Sequence, residues 1–270
     1  MDFEKTKTQL IILFVLLNIF LLYTLVTRRE QKGDNFDVNS ILKKYGIENY
    51  ADIPENISAK KIRMEFVIPD VDDIAKVFFD DPVIKSDELI TEISEGFESL
   101  SIINRKLLRY KNTPEKRDRK IKTLDEARSI AIDFLKKRYL YDNLVLNYEE
   151  YKYNNFTFSF GLKDPNSGLF LERAYTNISL NEDGVIFMER TSFLIPTPQK
   201  EEISIEDPKR LLLKLINYKE ASGRQIVEIL PCYSFNTSKS PYLVYENAEG
   251  GNARLGLRVR FKDGLIIVLE

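Results

Sequence analysis

Two stretches of the chain carry the spacing of known chemistry. Ser58 and Lys61, in SAKK, satisfy S-x-x-K, the interval at which a lysine activates a serine nucleophile. That scheme needs the serine to open a helix, with S-D-N and K-T-G partners downstream. Here SAKK runs into the strand-like IRMEFVI, and neither partner is present. Asp70, Asp72 and Asp81, in DVDDIAKVFFDD, fall at positions 1, 3 and 12 of a calcium loop. Position 6 is Ala75 rather than glycine and position 12 is not the bidentate glutamate, so the stretch reads as a solvated acidic turn. The pairs Glu149-Glu150 and Glu201-Glu202 bring carboxylates together as a glycoside hydrolase would. Neighbours on a strand point to opposite faces, however, which makes them solvated edges.

Composition removes further classes. The chain has no histidine, so Ser-His-Asp and Cys-His activation and every histidine-bearing zinc site are absent. Its single cysteine, Cys232 in the apolar ILPCYSF, can form no intrachain disulfide and reads as a buried thiol. EGGNARLG has no phosphate-loop lysine and serine or threonine. The net charge of −2 gives no basic footprint for nucleic acid. No catalytic, cofactor-binding or metal-ligating set emerges, and no cofactor is expected.

The elements that would position any site divide into two halves after a polar linker, residues 28–37. In the membrane-proximal part, 38–120, VNSILKKYG predicts a short helix stopped by Gly46, and a strand spans Ile62 to Ile68, closed by Pro69. SDELITEISEG predicts a helix capped by Ser86 and stopped at Gly96, and FESLSIINRKLLRY reads as extended. The charged KNTPEKRDRK marks the boundary. In the C-terminal part, 121–270, TLDEARSIAIDFLKKRYL is a helix with a capping box, Thr123 and Glu126. Leu124, Ala127, Ile130, Ala131, Phe134 and Leu135 form its apolar stripe.

Strands come after this helix, with a turn or bulge at Asn154-Asn155 and a hairpin at Asp183-Gly184. A second helix is capped by Ser204 or Asp207, with Pro208 in its first turn, and further strands end in a hairpin at Asp263-Gly264. Helix-then-meander thus recurs, either as two related units, 121–198 and 199–270, or as a coincidence of common turn signals. Runs of helix and runs of strand predict an α+β fold with antiparallel sheets packed with helices.

The front of the chain differs from all this. Thr8 to Thr27 is 20 residues without a charge, about 30 Å as a helix, which matches the hydrocarbon thickness of a bilayer. The run is too long for a signal peptide and lacks a small-x-small cleavage site, so residues 9–27 read as an uncleaved transmembrane helix after a tail of 1–8. Basic residues flank it almost equally, so charge does not set its orientation. Asn18 lies in mid-span, on a face shared with Phe14, Leu21, Leu22 and Leu25. Its amide either docks against a neighbouring helix or bonds back to a carbonyl of its own helix.

MDFEKTKTQLIILFVLLNIFLLY, with its acidic-aromatic opening, KTKT and terminal LNIFLLY, resembles the start of YycI proteins. These are regulatory partners of the sensor histidine kinase WalK (YycG), which controls cell-wall metabolism in low-GC Gram-positive bacteria. The resemblance implies a cytoplasmic N-terminus, an extracytoplasmic C-terminal domain and no catalysis. It also implies association with WalK and the sister protein YycH through membrane helices, with Phe14, Asn18, Leu21, Leu22 and Leu25 as the contact face. Competing readings are a membrane-anchored cell-wall enzyme, a protease-inhibitory pro-domain-like module and a ligand-binding module. Proteinase added to intact protoplasts is expected to digest the domain beyond about residue 36; complete protection would overturn the topology.

Overall fold

The computed structural model describes residues 14, 17, 18, 37–116, 120–235 and 250–270. Its order is α1 (Val38–Lys44), β1 (Glu48–Asn49), β2 (Ile57–Glu65), α2 (Val71–Phe78), β3 (Val83–Ser86), β4 (Ile90–Glu95), β5 (Glu98–Ile103) and β6 (Leu107–Lys111). Then come α3 (Leu124–Lys137), β7 (Leu144–Lys152), β8 (Asn155–Lys163), β9 (Phe170–Leu180), β10 (Val185–Thr191), β11 (Pro198–Ile205) and α4 (Pro208–Leu212). Two short 3-10 turns lead to β12 (Gln225–Phe235), β13 (Gly250–Phe261) and β14 (Ile266–Leu269). The expected α+β class, with a large and mainly antiparallel sheet, is the one observed.

Several helix starts arise directly from side-chain chemistry. Asp37 caps α1, and Gly46 stops it with φ +76°. Thr123 accepts from Glu126 N at 3.2 Å, while Glu126 reaches back to Lys122 N, one residue earlier than a capping box requires. Asp207, not Ser204, caps α4 by accepting from Arg210 N at 2.9 Å; Ser204 instead pairs with Ser58 in the β11–β2 ladder.

Two expectations fail for the same reason. DVDDIAKVF is no acidic turn: Asp70 accepts from Asp72 N and Asp73 N at 3.0 Å each and starts α2. SDELITEISEG is no helix: Asp87 accepts from Leu89 N and Ile90 N, closing a turn between β3 and β4. Ile93 then lies fully buried opposite Leu100 on β5. In both, an aspartate organises free backbone N–H groups, and the apolar partner available in space decides between helix and strand.

α2 precedes the consecutive antiparallel strands β3 to β6, and α3 precedes β7 to β10. The two meanders join edge to edge where β6 pairs with β10. The β7–β8 turn is Tyr153-Asn154, both at positive φ, one residue before the expected position. The Asp-Gly hairpins are present at β9–β10 and β13–β14. α3 lies on this sheet with Ala127, Ala131 and Leu135 fully buried against Phe156, Phe158, Phe160 and Tyr110. A second core gathers α1, α4 and β12 to β14 around Leu42, Leu212, Leu215, Leu257 and Phe261. A third, smaller core of Ile62, Met64, Phe66, Phe193 and Tyr233 lies between them.

β9 connects the two sheet regions. Phe170 and Leu171 run parallel to Cys232 and Tyr233 of β12, while from Tyr175 onward that edge pairs with β10; β8 pairs along the other edge, at Phe170 and from Tyr175. The change of partner occurs around Arg173, which is held at φ +79° with its carbonyl accepting from Thr191.

β13 runs beside β14 in an antiparallel ladder, and a Cβ on Gly256 would lie 2.6 Å from the Leu269 carbonyl oxygen. Gly256→Ala must therefore push the C-terminal strand off its ladder. It is expected to cost about 1–3 kcal/mol, read as a lowered melting temperature.

Candidate functional site

Among the described residues, the buried aspartate Asp164 is satisfied locally by Asn166 and Ser167, and the buried cations fall in two places. In the first, Arg258 on β13 is 1% exposed and lies 2.9 Å from Glu172 of β9 and 2.9 Å from Glu228 of β12. Its guanidinium stacks on Phe170, 4.2 Å from the ring centroid. Arg260 also binds Glu228, at 3.1 Å. Burial pushes the Glu172 carboxyl upward against the pull of Arg258. Cys232 is free and buried as expected; burial and nearby Glu172 raise its thiol well above the usual range, so it stays protonated and unreactive. Arg258 is enclosed while Glu228 and Arg260 reach partly into solvent, and the cluster joins three strands.

The second place opens to solvent. A cleft of about 540 Å³ forms where the two meanders meet the central core. Val67, Pro69 and Ile74 line one side, from the end of β2 into α2. Leu140, Leu162 and Leu171 line another, and the segment after β10 closes the rim with Phe193, Leu194 and Ile195. Val67 N donates to Ser192 O at 2.9 Å and Leu194 N to Glu65 O at 2.8 Å, which ties two of these walls together. Phe66 and Phe193 stack beneath with ring centroids 4.4 Å apart.

Into this apolar setting project Lys106, Arg190 and Asp142. Arg190 faces Leu108 across the β10–β6 ladder, and Lys106 comes from the β5–β6 turn, directly before β6. Both cations are buried, at 8% and 6% exposed. Arg190 donates to the Thr176 hydroxyl at 2.7 Å and the Ser192 hydroxyl at 3.2 Å. Burial lowers it to about 10, which the field of Asp142 opposes, so it remains charged at neutral pH. Lys106 places its ammonium 4.7 Å from the Phe66 ring centroid. Asp142 comes from the turn after α3, where Tyr139 and Asn143 both take positive φ.

None of these three residues was singled out from sequence. The available signal was parity. Arg190 shares its strand face with Met188 and so puts a charge where the pattern calls for an apolar residue, whereas Lys106, in a turn, carries no such signal.

The residues that sequence spacing did single out are placed elsewhere. Ser58 and Lys61 lie three apart on β2, on opposite faces, and Lys61 is held by Glu201 at 2.7 Å. Glu202 pairs with Lys60 at 3.0 Å. Glu149 accepts from Arg128 of α3 at 2.6 Å. The transmembrane expectation falls largely on residues outside those described, including Leu21, Leu22 and Leu25; among the described residues no helix is long and apolar enough to cross a membrane. Phe14 and Asn18 are described, helical and exposed, and Asn18 Nδ2 donates to Phe14 O at 2.8 Å.

No protein-family model matches the chain, and no curated protein matches it in sequence. Solved structures do match in fold. YycH from Bacillus subtilis aligns with a TM-score of 0.55 at 9% identity, over 79% of this chain and 52% of that one. The chain thus spans about half the length of that protein. An uncharacterized protein from Eubacterium rectale ATCC 33656 aligns at 0.49 and 12% identity, over 86% and 94% of the two chains. The C-terminal domain of Bacillus megaterium YpeB aligns at 0.40 and 12%, over 75% and 98%. On the first of these matches, the chain has a YycH-like fold.

Glu228 supplies a pH test of the buried cluster. Burial raises its carboxyl, but Arg260 and Arg258 outweigh this and hold it below the usual carboxylate range. Its stabilising share is present above the unfolded value and is lost as pH falls through the folded one. Denaturant titrations at about pH 7 and about pH 3 are expected to show a smaller loss of stability on acidification for Glu228→Gln than for the parent chain.

Proposed function

We propose that this chain is a membrane-anchored, non-catalytic regulator of the sensor histidine kinase WalK (YycG), with YycH as a second partner. Its N-terminus lies in the cytoplasm and its folded domain outside the cell. The observation that carries this reading is the YycH-like fold, joined to an N-terminal sequence that resembles YycI. The placement of Ser58 and Lys61 on opposite faces of a strand, with the lysine bound to Glu201, supports a role without a serine nucleophile.

In this reading regulation proceeds by contact, through the anchor and through the domain. Asn18 spends one amide N–H on the Phe14 carbonyl, and its chemistry still provides a second N–H and a carbonyl oxygen for another helix. An interhelical bond of this kind contributes about 0.6–2 kcal/mol, enough to bias pairing but not to create it.

Full-length chain is expected to co-purify with the kinase from membranes, and replacement of the whole anchor by an unrelated one is expected to abolish this. Asn18→Leu should reduce recovery severalfold while the domain melts normally. Loss of kinase with neither anchor change would refute anchor-mediated association; full recovery with Asn18→Leu alone would shift the contact to the apolar residues of the helix.

A further inference from the structure

We infer that β3, the free edge of the first meander, is a docking site for an extended, basic-flanked segment of a partner protein, which adds to the sheet as an antiparallel strand. The inference concerns the folded domain and does not depend on the kinase reading.

The sheet ends in β11 on one side and β3 on the other. β11 is blunted as edges usually are, with a register shift between Pro198 and Glu202 and with Lys200, Glu201 and Glu202 along it. β3 has one charge, Lys85, and an unbroken register with β4 from Val83 to Ser86. All of its residues are exposed, Val83 by 58% and Ile84 by 42%. Asp87 N donates to Ile90 O, so the alternation of an antiparallel ladder turns the backbone groups of Lys85 and Val83 toward β4. Those of Ile84 and Ser86 therefore point away from the sheet, at the spacing that an added strand bonds.

A second copy of this edge is a poor occupant in each two-fold register that joins outward groups. With Lys85 on the axis, the two ammonium groups meet directly. With Ile84 there, Ser86 lies opposite Pro82, which has no N–H, and Asp81 lies opposite Asp87. With Ser86 there, Ile84 lies opposite Glu88, inside the turn that Asp87 closes on Leu89 and Ile90.

Charge then sets the chemistry of the partner. From Asp70 to Glu95, through α2, β3 and β4, nine carboxylates stand against two cations, Lys76 and Lys85. Glu92 lies directly across from Lys85, and Arg105, which lines the same hollow as Asp87 and Glu88, is already engaged. Acidic pairs bracket the strand, Asp80-Asp81 at one end and Asp87-Glu88 at the other. The matching segment is apolar and β-branched in its middle, with lysine or arginine at both ends.

The test uses the full-length chain in nanodiscs of zwitterionic lipid, with empty nanodiscs as reference and labelled peptides read by fluorescence anisotropy. The probe is the peptide KKTVTVTVKK. Its controls are EETVTVTVEE and the basic peptide N-methylated at all its central amides. The basic peptide is expected to saturate one site per chain, with each control roughly tenfold or more weaker. The N–H of Ile84 lies outside the β4 ladder, so Ile84→Pro leaves that ladder intact. This variant should weaken the basic peptide roughly tenfold or more with unchanged melting. Asp80→Lys combined with Asp81→Lys should narrow the gap between basic and acidic peptides severalfold. If Ile84→Pro does not fold, the N-methylated peptide and the double lysine variant decide.

Absence of saturable binding by the basic peptide would overturn the proposal. So would equal binding of either control, unchanged binding in a folded Ile84→Pro, or unchanged discrimination in the double lysine variant. Parent and Ile84→Pro chains are expected to sediment alike in detergent; loss of a dimer in Ile84→Pro would give the edge to a second copy and overturn the choice of partner.

Discussion

Arg258 ties together parts of the chain that are far apart in sequence. Its guanidinium reaches Glu172 on β9 and Glu228 on β12 from its own place on β13, near where one edge of β9 passes from β12 to β10. A charge that is 1% exposed is tolerated only because both carboxylates and the Phe170 ring are fixed around it. Removing both carboxylates would leave an uncompensated buried charge, at a cost of about 3–5 kcal/mol or more. The stack of three strands is thereby held in one register, since a slip of one residue on any of them would turn its charged group to the other face.

This junction has consequences for the cleft. Leu171 comes directly after Phe170 on β9 and forms part of the cleft wall, while Tyr233, next to Cys232 on β12, donates to the Lys60 carbonyl at 2.6 Å and fixes β2. β2 in turn leads into Phe66 and Val67, which pack on and pair with the segment after β10. The geometry that holds Arg190 and the rim residues is therefore inherited from the packing of β9, β12 and β13. The first meander supplies the other wall, because β6 pairs with β10 and so brings Lys106, just before β6, into the cleft that Arg190 lines.

The apolar rim of the cleft opens where the two meanders meet. The buried network below, with its protonated thiol and paired carboxylates, offers no reactive group to solvent. The cleft offers charge and shape, the two properties that binding needs.

Much of the fold is legible without coordinates. Thr123 and its apolar stripe define α3, Asp183-Gly184 and Asp263-Gly264 define two hairpins, and Gly46 ends α1, since each rests on backbone chemistry within a few residues. The burial of Cys232 and the length of the uncharged N-terminal run were readable from residue types alone. Tertiary structure decided the rest. SDELITEISEG became β4 because Leu100 of β5 was there to cover Ile93, and DVDDIAKVF became α2 because Asp70 found free amides and Phe78 found Tyr110. Lys106, Asp142 and Arg190 belong to three separate loops and strands, and no local period relates them. What joins them is the pairing of β6 with β10, and such long-range pairing is set by which faces can be buried together, not by the order of residues along either strand.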